Sequence, residues 1–151
     1  MNSLFAFSLT SHVILGIIGV IGSYTVLLFL LKSAPPLRTL KIASTTACIS
    51  YILSWFSGGY YYVFYYGSQV KPGIKEGAYP WAHLVFMEVK EHIFIFLPFA
   101  TAALAVAIFT TGSRLETDSK LKNSLVLASA VITIVATIIT LSGILITGGA
   151  R

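Results

Sequence analysis

Four long apolar runs, at about 9–31, 42–66, 81–111 and 123–147, constrain this chain more than any other feature. About 20 residues rising 1.5 Å each cross a hydrocarbon core of about 30 Å, so each run is long enough to span a bilayer. Inside lipid the backbone must satisfy its own polar groups, which for a single run means a helix. Composition agrees. Of the 151 residues 56% are hydrophobic and 10% charged, whereas soluble domains average about 25% charged. The connections are short, so antiparallel neighbours are the simplest packing. The expected fold is all-α: a single integral membrane domain, a four-helix bundle running up-down-up-down.

Charge sets the expected direction. Lys32, Arg38 and Lys41 occupy the first connection, around Pro35 and Pro36, and Arg114, Lys120 and Lys122 occupy the third. The second has Lys71 and Lys75, and Arg151 ends the chain. Cytoplasmic loops carry the excess of Lys and Arg, which assigns the first and third connections to the cytoplasm of a prokaryotic plasma membrane and both termini to the outside. No basic residue precedes the first run and Lys32 follows it, the reverse of a signal peptide's order, so a retained helix is expected. The run from Tyr60 to Tyr66 marks the outer boundary, where an apolar ring and a wet hydroxyl are both accommodated.

Small residues mark the packing faces. His12, Gly16, Gly19 and Ser23 share one helical face by their spacing, and small residues in membrane helices mark close backbone approach. His12 is therefore expected to face the interior. Ala43, Ala47, Ser50, Ser54, Ser57 and Gly58 form a stripe on the second helix, and Ser129, Thr133, Ala136, Thr137 and Thr140 one on the fourth. Hydroxyls bonded to their own helix carbonyls are the simplest reading of both.

Ionisable groups concentrate on the third run, at His83, Glu88, Lys90, Glu91 and His92. Such residues within a span cost roughly 2.5 to 3.5 kcal/mol each at the bilayer centre, so they call for a reason. At about 100° per residue, Glu88, Glu91 and His92 share a face and His83 lies opposite His92. Counting 20 residues out from each cytoplasmic end brings His12, Tyr61, His92 and about Ser142 to one depth. The expected site is an outward-facing pocket with His12, Glu88, Glu91 and His92 as metal ligands, or with His12 and His92 as axial ligands of a b-type haem. Tyr61, Tyr65 and His83 stand around them as hydrogen-bonding groups. Pro98 is expected to kink the third helix.

Other classes lose support at the sequence level. Cys48 is the lone cysteine, and no Cys-x-x-Cys pair exists. The net charge of +5 is scattered rather than clustered, which argues against nucleic acid. No nucleophile elbow, phosphate-cradling loop or His-Glu-x-x-His motif occurs. A cofactor-free assembly subunit and an ion-coupled transport component remain as alternatives. Small size and small-residue faces point to other membrane subunits, alongside lipid, as partners, and the expected function is that of a subunit of a larger membrane complex whose metal or haem site assists electron transfer.

Overall fold

A computed structural model describes residues 2–149, so Arg151 lies outside the described residues. Helix α1 (Ser3–Leu30) begins at Asn2, whose side-chain oxygen accepts the Phe5 N–H at 3.0 Å, the usual cure for unpaired amides at a helix start. Pro35 and Pro36 separate it from α2 (Leu37–Tyr61). Beyond Tyr61 the chain stays helical but widens into a π-helical stretch, Tyr62–Val70, and tightens again into α3 (Lys71–Glu76). A turn at 77–80 leads to a second π-helical stretch, Ala82–Met87, continued by α4 (Glu88–Phe94). Helix α5 (Leu97–Thr111) follows, then a single 3-10 turn and α6 (Ser119–Gly149). Among the described residues there is no strand.

Three helical segments are long and apolar enough to cross a membrane: Ser3–Leu30, Ala82–Arg114 and Ser119–Gly149. The second helix is not among them. Its 25 residues are enough to cross, but Thr39, Ser44, Thr45, Thr46, Ser50, Ser54 and Ser57 dilute its apolar content. The outward surfaces fit lipid better than water: Phe7, Phe99 and Leu127 are 71%, 69% and 67% exposed, and Ile21, Phe56, Val63 and Ile134 are exposed too. Apolar patches on water-soluble monomers rarely exceed a few hundred Å².

The small residues work as packing surfaces. Gly19 lies against the Tyr51 ring and Gly22 against Ala43 and Ala47; farther along, Ser8 donates to the Ser57 carbonyl at 2.6 Å. Partners on α2 descend in number as those on α1 rise, so the two helices run antiparallel. Tyr51, 1% exposed, donates or accepts at 3.1 Å with Ser23. On α6, Thr133, Thr137, Thr140 and Ser142 donate to carbonyls four residues back, at 2.8 to 2.9 Å. These stripes are thus packing faces; most of their bonded hydroxyls are satisfied within the helix, as their sequence suggests, but Ser54 donates across to the His12 carbonyl on α1 and the buried Ser129 hydroxyl has no partner among the described residues.

The first and third connections meet at one end of the bundle. The Lys122 ammonium donates to the Lys32 carbonyl, Lys41 lies 5.0 Å from the Phe109 ring centroid, and Leu37 packs on Gly112. Asp118 caps α6, accepting the Leu121 N–H at 3.0 Å, and pairs with Arg114 at 2.9 Å. Pro98 stands in the first turn of α5, and the backbone breaks between α4 and α5 at Ile95 and Phe96. The expected kink is there, because proline cannot supply the amide that a continuous helix needs.

Candidate functional site

At the end opposite these connections, α1, α2, α4 and α6 part around two adjoining cavities of about 390 and 580 Å³. Both fall in the ordinary range for small-molecule sites, about 300 to 1,000 Å³. Leu9, His12, Lys90, Phe94, Gly143 and Thr147 line both, which makes them two chambers of one space. The outer chamber adds Trp55, Tyr61, Tyr62, Tyr66 and Glu91. The inner one is walled mainly by Val13, Ile17, Leu97, Ala136, Ile139 and Ile144. Both chambers are mostly apolar; Glu91 and three tyrosines belong to the outer one alone, and Tyr51, Ser54 and Thr140 to the inner one.

His12 is held firmly. Its Nδ1 lies 2.9 Å from the Ser54 carbonyl and 3.0 Å from the Ser54 hydroxyl, whose own proton goes to the His12 carbonyl at 3.0 Å. A carbonyl only accepts, so Nδ1 carries the proton and Nε2 keeps its lone pair. Gly58 leaves room for this ring: a methyl group there would collide with it. Phe94 meets the ring edge-on at 5.9 Å.

Lys90 is the unexpected member. Its ammonium points toward α6, where a Cβ built on Gly143 would lie 3.3 Å from Nζ. The ion pairs among the described residues are His83–Glu88 and Arg114–Asp118, so Lys90 has no carboxylate partner there. Beside it, the Glu91 Oε1 is buried with no hydrogen-bond partner. A cation and a carboxylate thus face the outer chamber without neutralising each other.

A second polar cluster backs that chamber. His83 is fully buried and Tyr66 is 3% exposed; their Nδ1 and hydroxyl are 3.0 Å apart. With the phenol donating to Nδ1, the Nε2–H faces Glu88 Oε1 at 3.6 Å, beyond hydrogen-bond length. Tyr62 stacks on Tyr66 with ring centroids 5.4 Å apart. Removing the phenol leaves the imidazole with no partner at either nitrogen. Tyr66→Phe is expected to cost about 1–2 kcal/mol, measurable as a drop of a few degrees in the unfolding temperature of the detergent-solubilised protein.

The structure brings together only part of the set expected from sequence. His12 and Glu91 line the cavity, as does Tyr61. His92 does not: it is exposed, its Nδ1 donates to the Glu88 carbonyl in its own helix at 2.7 Å, and it lines neither chamber. The facing imidazoles of a haem site are therefore not formed. Glu88 turns toward His83 instead, and Tyr65 packs on Phe5 with ring centroids 5.0 Å apart. Among the described residues, no group of three or more His, Cys, Asp or Glu side chains is placed to hold a metal ion.

The reason is helical phase. The inward positions of α4 and the turn before it are Met87, Lys90, Glu91 and Phe94, spaced by three or four residues as one face requires. Glu91 and His92, adjacent in sequence, fall on either side of that face's edge. Ala82–Met87 is π-helical, so a constant 100° per residue does not carry through it, and His83 turns inward rather than away. Lys90 was recognisable as the charged residue in phase with Met87 and Phe94, with Gly143 on another helix leaving it space. The chain matches no protein-family model, no curated protein and no solved structure.

Proposed function

We propose that this is a multi-pass membrane protein whose four long helical segments cross the bilayer up-down-up-down, and that its two-chambered cavity binds an amphipathic lipid. The observation carrying the binding reading is the order of the lining: both chambers are mostly apolar, His12 and Lys90 stand where they join, and Glu91 with Tyr61, Tyr62 and Tyr66 lines the outer one alone. That order matches an acyl chain pointing to the bilayer centre and a headgroup at the rim. The basic first and third connections share one end of the bundle, which by charge asymmetry is the cytoplasmic end. The second helix, too polar to stand alone in lipid, is carried by α1 and α5, against which its serines and alanines are buried. Binding is favoured over metal or haem chemistry because the inward side chains include one histidine from α1 and none from α4.

The test has two parts. In a Cys48→Ala background, Gly73→Cys is expected to react with a membrane-impermeant maleimide on intact cells, whereas Arg38→Cys and Ser113→Cys react only after permeabilisation. Equal reaction at all three positions overturns the topology. Protein purified in mild detergent is expected to retain about one lipid per chain by native mass spectrometry, as a single cavity of this size implies. Delipidated protein that takes up none overturns the binding reading.

A further inference from the structure

Resting on that reading, we infer that the ligand is a zwitterionic phospholipid, its phosphodiester held by Lys90 and its ammonium by Glu91. Three observations support the assignment. The first is charge: Lys90 enters the cavity without a carboxylate partner among the described residues, and Glu91 Oε1 is buried and unpartnered beside it. Tyr62 bonds to the Glu91 carboxylate, but an anion alone would answer the lysine and leave the buried Glu91 Oε1 without a partner, a costly state for a carboxylate oxygen. A ligand carrying both signs answers both.

The second is sequence in depth. Lys90 lines both chambers, whereas Glu91 lines only the outer one. The cavity thus offers an apolar wall, a cation shared by both chambers and a carboxylate in the outer chamber alone. A phospholipid of this class presents acyl chain, phosphate and ammonium in that order. A fatty acid lacks the third element, and a phosphoglycerol lipid replaces it with neutral hydroxyls.

The third is the character of the outer wall. Tyr62 and Tyr66 stack on one another beside Glu91, and Trp55 and Tyr61 line the same chamber. Aromatic faces attract ammonium groups, quaternary ones included. His12 contributes a lone pair at Nε2, since its Nδ1 proton is committed to Ser54, and so accepts a hydrogen bond from the Lys90 ammonium or a headgroup donor rather than adding a second positive charge.

The experiment uses the full chain in mild detergent, delipidated and then offered equimolar phosphatidylethanolamine and phosphatidylglycerol of identical acyl chains, with bound lipid counted by native mass spectrometry. Wild type is expected to prefer the zwitterionic lipid by about tenfold, the scale of one charge-assisted contact. Glu91→Gln is expected to bring the two lipids to near equality by lowering phosphatidylethanolamine retention toward the phosphatidylglycerol level, and Lys90→Gln to lower retention of both. Equal retention by wild type overturns the headgroup assignment while leaving lipid binding intact. A ratio unchanged in Glu91→Gln removes that residue's role. Retention of neither lipid by wild type defeats the cavity-binding reading itself. The wild-type ratio decides the matter even where a variant fails to fold.

Discussion

Gly22→Leu is expected to be the most damaging single substitution in the bundle, lowering stability by about 3 kcal/mol, the upper end of ordinary overpacking penalties. A Cβ at this position would sit 3.0 Å from the Ala47 Cβ, 3.1 Å from the Ala43 carbonyl oxygen and 3.2 Å from the Ala47 amide nitrogen. Two of these are backbone atoms of α2, which no side-chain rotation relieves. The whole branched side chain then forces α1 and α2 apart and uncovers Val26, Leu40 and Tyr51, buried in the core between them. Gly19→Leu meets the Tyr51 ring, with the nearest carbon at 2.5 Å. A ring can swing, at the cost of its hydrogen bond to Ser23, so a smaller loss is expected there. Thermal unfolding in detergent, followed by size-exclusion chromatography, ranks the two. A Gly22→Leu protein as stable as wild type contradicts the close α1–α2 approach.

Gly143→Leu is expected to do the opposite: to leave the fold nearly as stable as before and to reduce lipid retention by tenfold or more, about 1.4 kcal/mol of binding free energy or greater. The sole neighbour within reach of a new Cβ is the Lys90 ammonium at 3.3 Å, the far end of a flexible chain that has room to withdraw. The added isobutyl group fills space where the two chambers join, so the acyl chain and the added side chain compete for one volume. Native mass spectrometry beside thermal unfolding separates the outcomes. Full lipid occupancy in a well-folded Gly143→Leu protein places the ligand elsewhere. The two glycines thus have different jobs, one allowing backbones to touch and the other keeping a space open.

The helical architecture was legible in the sequence because run length and hydropathy report directly on it, and the face joining His12 to Gly16, Gly19 and Ser23 was legible because α1 is regular from end to end. His12, in contact with Ser54 and Gly58, lies within about one turn of the level counted from the helix ends, and Gly143 beside the cavity is one residue from the position expected on α6. The third run departs from a constant helical period where its winding is irregular. A π-helical stretch does not keep the α-helical period, so the burial of His83 and Tyr66 was not legible from a constant 100° per residue. Glu88, Glu91 and His92 were grouped by angle alone, although the longer arm of Lys90 is what reaches the interior. The second connection, with Lys71 and Lys75, lies between two apolar runs. It is helical through Glu76, since the aromatic residues of Tyr62–Val70 continue to pack against the opposite π-helical stretch.

The pairing of Tyr62–Val70 with Ala82–Met87 makes the spacing of this region as important as its side chains. Each wide turn holds one residue more than an α-turn, and Tyr66 and His83 find each other only with both surpluses in place. Deleting a single amino acid from either stretch lets a wide turn close to ordinary winding, at about 100° per residue, so that positions inside the stretch change their facing while the helix beyond it keeps its own. Phenol and imidazole then look in different directions even though neither has been altered. The outer rim should consequently accept many exchanges of one residue for another at its exposed positions, while gaps and insertions are barred from it.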